Sequence, residues 1–157
     1  MIVSMKKASR KTIWIILPIV LFFLLCCAST QKERTESRDA DFYINRGNTY
    51  FKKDQYDQAI IDYTKALEIV PGVAEVYFSR GCVYHKQGQY DHAIADYTKA
   101  LEINPGDALA YYNRGRAYYS KGEFDKSWDD IKKAEELGYQ IPSKFLDDLR
   151  KASGRQN

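Results

Sequence analysis

Residues 90–105 read YDHAIADYTKALEINP, and residues 56–71, 34 positions earlier, read YDQAIIDYTKALEIVP. Shifting the whole chain so that Tyr56 falls on Tyr90 extends the match in both directions. Gly47, Gly81 and Gly115 align, as do Tyr50, Tyr84 and Tyr118. Tyr56, Tyr90 and Phe124 align, and Ala59 and Ala93 fall over Ser127. Ala66, Ala100 and Ala134 coincide, while Pro71 and Pro105 meet Tyr139 in the third copy. A fixed period with this many matches marks a stacked array of one supersecondary unit.

Each unit reads as helix, turn, helix. In the second unit the first helix is expected over Ala74–Gln87, ended by Gly88, which tolerates the left-handed conformation of a helix terminus. The second is expected over Tyr90–Ile103, with Pro105 just beyond to prevent continuation. The same reading gives Ala40–Lys53 and Tyr56–Ile69 in the first unit, and Ala108–Lys121 and Phe124–Leu137 in the third. Gly81 and Ala93 are small because two helices of a unit are expected to cross there. Tyr84, Tyr90 and Tyr97 fill the space around them, so the 13 tyrosines are mostly core.

The pattern Y-x-x-R-G-x-x-Y followed by Y-D-x-A-I-x-D-Y-x-K-A-L-E-x-x-P resembles the tetratricopeptide repeat (TPR). The resemblance covers Ala40 to about Ile141 in three copies, as 40–73, 74–107 and 108–141. It implies an all-α, right-handed α-solenoid. The third copy drifts, with Ser127 for alanine, Ile131 for tyrosine and no closing proline, as terminal repeats do. After it, Ile141–Ala152 carries Phe145, Leu146 and Leu149 at helical spacing, with Pro142 or Ser143 to start the helix and Gly154 to end it. By the resemblance this segment, 142–153, is a capping helix on the last repeat.

Arg46, Arg80 and Arg114 stand where the family usually has leucine, and each is followed at one fixed spacing by an aspartate, Asp62, Asp96 or Asp130. An arginine among core residues requires a charged partner. Structural ion pairs between these arginines and these aspartates are therefore expected, within a repeat or across to a neighbour.

The first helices of stacked pairs line the inner surface of such an array, and in TPR proteins that groove commonly takes an extended peptide or a partner helix. Carried over by position, the groove candidates are Ile44, Asn48 and Phe51, then Phe78, Cys82 and His85, then Tyr112, Arg116 and Tyr119. Aromatic groups with polar handles suit a mixed peptide. Some family members clamp a terminal carboxylate on this face; Asn48 fits that pattern, but Leu109 and Asn113 stand where cations belong.

Outside the array the chain opens with Lys6, Lys7, Arg10 and Lys11, then an uncharged apolar run over 13–25, then Cys26, Cys27, Ala28, Ser29 and Thr30. This charged, apolar, small-residue order is that of a secretory signal. The run is short for a membrane span, and Pro18 lies within it. Leu24-Leu25-Cys26-Cys27 resembles a bacterial lipoprotein lipobox, which implies Cys27 as the lipidated residue and 1–27 as the signal. An uncleaved anchor and a plain cleaved signal are the alternatives. Each faces the domain toward the periplasm or cell exterior of a bacterial envelope. Residues 30–39, TQKERTESRD, hold no apolar residue, so 28–39 is expected to be a flexible polar linker.

Of the 24 basic residues four precede the apolar run, which leaves 20 against 21 acidic ones. The rest of the chain is near neutral, so no nucleic-acid partner is expected. Cys82 stands alone and reads as a small buried apolar residue. His85 and His92 do not have the spacing of metal ligands, and His92 is expected on an exposed face. Nucleophile, phosphate-loop and dinucleotide motifs are not seen, and Asp129-Asp130 and Asp147-Asp148 point to different helix faces. The expectation is a non-enzymatic scaffold without cofactor or metal, binding a protein or peptide for assembly of an envelope complex. Its alternatives are a self-associating structural spacer and an accessory subunit of a cell-wall enzyme.

Overall fold

The computed structural model describes residues 31, 34, 35 and 37–155, all helix, turn or coil with no strand among them. The expected signal segment 1–27, with Cys27, lies outside the described residues. The chain divides into two units, Met1–Arg38 and Asp39–Asn157. In the first, residues 31, 34, 35, 37 and 38 are helical, and the Thr35 hydroxyl lies 3.3 Å from the Gln31 carbonyl. Residue 39, in the second unit, is helical as well. Of the expected linker 28–39 the described residues are thus helical; Gln and Arg are good helix formers even where they bury nothing. Among the described residues no helix is long and apolar enough to cross a membrane.

The second unit is an α-solenoid. Its first helix, α1, covers residues 39–52. Then come α2 (Tyr56–Ile69), α3 (Ala74–Lys86), α4 (Tyr90–Ile103), α5 (Ala108–Ser120), α6 (Phe124–Glu136) and α7 (Ser143–Ser153). The bounds of α2 and α4 coincide with the period-based reading. The first helices of the units end one residue earlier than expected, because the chain turns before the left-handed residue that follows. Gly88 has φ +75° and Gly122 +78° there; the first copy has Asp54 at φ 56° instead.

Packing runs between neighbours along the chain: α2 on α3, α3 on α4, α4 on α5, α5 on α6, and α6 on α7. Within a unit the approach is close. A Cβ on Gly81 would stand 2.9 Å from the Tyr97 ring, so only glycine lets α3 lie against α4 here. Tyr97 and Tyr63, almost fully buried, fill the space beside Ala93 and Ala59. In the third unit Ile131 replaces the tyrosine, and Ser127 donates its buried hydroxyl to the Gly115 carbonyl at 2.8 Å, so the drift leaves no unsatisfied group.

The capping helix α7 starts at Ser143, one of the two expected starts, with Pro142, at φ −58°, at its N-cap. Leu149 is fully buried, and Phe145 and Leu146 pack with Tyr112, Tyr119 and Ile131. Beyond it Arg155 meets Asp125 at 2.7 Å. That contact repeats Gln87 with Asp57 at 2.8 Å and Lys121 with Asp91, each spanning 30 residues. α7 thus occupies the place of a fourth first helix.

Candidate functional site

The arginine–aspartate pairs are set by α-helical register. Arg80 on α3 and Asp96 on α4 face one another across the helix pair, with Nε to Oδ2 and Nη2 to Oδ1 both at 2.8 Å. Arg114 holds Asp130 at 2.8 and 2.7 Å, and Arg46 holds Asp62 at 2.6 and 2.7 Å. The hydrogen bonds to the carboxylate raise the guanidinium of Arg80 above its ordinary range against the opposing effect of burial. Each of the two internal forks reaches one element further. Arg80 Nη1 donates to Thr64 of the preceding repeat at 2.9 Å, and Arg114 Nη1 to Thr98 at 3.0 Å. These side chains tie repeats together and leave little for a ligand.

The candidate site lies beside this framework. Phe51 of α1, Cys82, His85 and Lys86 of α3, Tyr97 of α4, and Asn113 and Arg116 of α5 line a cavity of about 380 Å³. Asn48, Cys82 and Arg116 share one register position in successive repeats. The Tyr63 hydroxyl donates to Asn48 Oδ1 at 2.6 Å, and the Tyr97 hydroxyl to Cys82 Sγ at 3.4 Å. Burial pushes the Tyr63 phenol up to about 12 and the Tyr97 phenol higher still, so both remain donors at neutral pH. In the third repeat Ile131 offers no hydroxyl, and Arg116 turns instead to Asn113 Oδ1 at 3.5 Å and over the Tyr112 ring at 5.6 Å.

His85 is half-buried, and its Nε2 is buried with no hydrogen-bond partner. Burial, and then the charges of Arg116 and Lys86, hold its imidazole below the ordinary value of 6.5. Burial likewise raises the Cys82 thiol, which makes it a poor nucleophile. The cavity wall therefore carries two cations, an amide and an imidazole, and no carboxylate.

Of the groove positions drawn from the sequence, Phe51, Cys82, His85 and Arg116 line this cavity. Ile44 packs into the first-repeat core, and Asn48 is engaged by Tyr63. Phe78 lies against the Tyr97 ring at 5.7 Å. Tyr112 and Tyr119 are corrections. Their rings meet Phe145 of α7 at 5.8 and 5.4 Å, so the capping helix occupies the surface they were expected to offer. Lys86, Tyr97 and Asn113 were missed. Lys86 is one helical turn beyond Cys82, and Asn113 one turn before Arg116, so the i, i+4 and i, i+3 rule points to both. His92 is exposed and stacks on Tyr84 at 5.1 Å, away from the cavity.

The sequence matches a family model described as TPR repeat over residues 47–88 and 81–122, and one described as tetratricopeptide repeat over 108–137. Among solved structures, the first TPR of Spaghetti (RPAP3) bound to the HSP90 peptide SRMEEVD is 28% identical, with a TM-score of 0.69 over 75% of this chain and 93% of that one. The Arabidopsis OM64 TPR domain is 25% identical, with a TM-score of 0.70 over 74% of this chain and 98% of that one. MamA is 34% identical, with a TM-score of 0.62 over 63% of this chain and 58% of that one. No curated protein matches the sequence.

Proposed function

Because the chain belongs to the tetratricopeptide repeat family, we propose that it is a non-catalytic adaptor holding an acidic, extended segment of a partner protein in the cavity between α1, α3 and α5. The observation that carries this reading is the cavity's charge. Lys86 and Arg116 stand beside Asn113 and the His85 ring, with no acid on the wall. A carboxylate entering there gains charge-assisted hydrogen bonds, which are about twice as strong as neutral ones. The acidic peptide held by the Spaghetti domain supports the chemistry. The position differs from the carboxylate clamp considered from the resemblance, since Asn48 is already bonded and Leu109 carries no charge.

The site is small and grips a few residues, so affinity for an isolated peptide is modest. A membrane anchor offsets this by raising the local concentration of partners on the same surface. We assign that anchor to the N-terminal segment, through lipidated Cys27 or the apolar run 13–25, on the charge and apolar order of the sequence alone. The adaptor then serves the assembly of an envelope complex.

Two measurements test the reading. Anisotropy titration of an acidic peptide library against wild type and Lys86→Ala/Arg116→Ala is expected to show at least a ten-fold loss, about 1.4 kcal/mol. Equal binding by both proteins removes the cavity from the function. Metabolic labelling with a fatty acid is expected to mark the wild type and not Cys27→Ser; label on both, or on neither, removes the lipid anchor.

A further inference from the structure

Each internal repeat is closed on its N-terminal side by the second helix of the repeat before it. Where α3 meets α2, Val76 is 2% exposed and packs with Ala66 and Leu67, and Arg80 Nη1 reaches Thr64 at 2.9 Å. Where α5 meets α4, Ala110 is 0% exposed and Arg114 Nη1 reaches Thr98 at 3.0 Å. In α1 the residues of the same register are Phe42 and Arg46. Phe42 is 56% exposed. Arg46 keeps both bonds to Asp62 and lies over the Phe42 ring at 4.9 Å, but its Nη1 has no acceptor among the described residues. Its side chain is 39% exposed, against 17% for Arg80 and 18% for Arg114.

The opposite end of the array is finished differently. There Lys132 replaces the threonine, and α7 covers α6 with Leu149 fully buried. A terminal repeat ordinarily turns a polar face outward. A phenylalanine at a junction position is the reverse of that.

We propose that this edge of α1 is an unfilled repeat junction that docks an amphipathic helix of a separate protein. The occupant has the chemistry of α2 and α4. It presents a serine or threonine hydroxyl to Arg46 Nη1, with a small residue and a leucine two and three positions further on to cover Phe42. The interface continues one the chain makes twice within itself. A second copy of this chain does not supply such a helix, because Thr64 and Thr98 are already bonded and α6 is capped.

The test uses the full chain in detergent. The probe is a fluorescein-labelled peptide of the sequence of residues 90–105. An i, i+4 lactam on its exposed face holds it helical, since a free helix of this length is marginal in water. Binding is expected to saturate below about 1 mM. It is expected to weaken at least ten-fold with Phe42→Glu, whose exposed site leaves the fold intact. It is expected to weaken about five-fold when the peptide carries Thr98→Val, the equivalent of about 1 kcal/mol. The cavity variant Lys86→Ala/Arg116→Ala is expected to bind as wild type, which separates this surface from the acidic-peptide site. Absence of saturation, indifference to Phe42→Glu, or loss with the cavity variant overturns the proposal. So does a wild-type dimer, seen by light scattering, that Phe42→Glu dissolves, because the occupant is then a second copy.

Discussion

Arg80 Nη1 lies 2.9 Å from Thr64 Oγ1 while Nε and Nη2 of the same guanidinium hold Asp96 at 2.8 Å. One side chain thus joins three helices, α2, α3 and α4, across a repeat boundary. Arg114 does the same for α4, α5 and α6. The planar fork of arginine makes this geometry available, and lysine has no equivalent.

Thr64→Val is expected to lose about 1 kcal/mol, because it strips the acceptor from one charged donor and leaves the packing volume unchanged. A double-mutant cycle with Arg80→Ala, read by urea denaturation, should return most of that loss as coupling. Additive losses would show that the contact contributes nothing to the junction.

Asp96→Ala is expected to cost about 2–4 kcal/mol, since it strands a partly buried guanidinium. Asp62→Ala should cost less, because Arg46 is 39% exposed on its side chain and can rehydrate where Arg80, at 17%, cannot. Thermal melts of the two variants decide it, and an inverted order would refute the burial argument.

Gly81→Ala is expected to destabilise by about 1 kcal/mol, because an overpacking penalty of about 1–3 kcal/mol outweighs a gain of about 1 kcal/mol in helix propensity. The new Cβ would stand 2.9 Å from Cε1 of the buried Tyr97 ring. A Gly81→Ala melt at or above the wild-type temperature would contradict the close approach.

Asp54→Gly is expected to stabilise by about 0.5–1 kcal/mol, because it relieves a side chain held in the left-handed region. Asp54 sits at φ 56°, where the other two repeats place Gly88 and Gly122. The exposed bond that Asp54 accepts from Tyr56, at 2.7 Å, offsets only part of the gain. Chemical denaturation at constant m-value is the measurement.

The fold holds His85 below the ordinary imidazole value of 6.5, first by burial and then through Arg116 and Lys86. Below that value the unfolded chain therefore binds the proton more readily. Stability falls as pH drops from there toward the folded value, and this group has no effect above about pH 7. The stability difference between wild type and His85→Gln should change between pH 7 and 5 and stay flat from 7 to 8. A flat difference throughout would place the imidazole in solvent.

The paired helices and the small crossing residues could be read from the repeat period, because a repeat writes its packing rule three times; the helix after them could be read from the spacing of Phe145, Leu146 and Leu149, and its capping place from the family resemblance. The Arg–Asp pairs were legible for the same reason: a charge among core positions demands a partner, and the constant spacing names it. Their extension to Thr64 and Thr98 was not, since it depends on how far one repeat slides over the next. The cavity was half legible. Carry-over by position from the family placed Phe51, Cys82, His85 and Arg116 on one face, but it cannot tell an open position from a covered one. Only tertiary packing decided that Tyr112 and Tyr119 lie under Phe145, that Lys86 and Asn113 join the cavity, and that Phe42 stands open where Val76 and Ala110 are closed. Periodicity is a local property of one chain direction, whereas exposure is settled by which neighbour arrives on each side, and the first and last repeats have different neighbours.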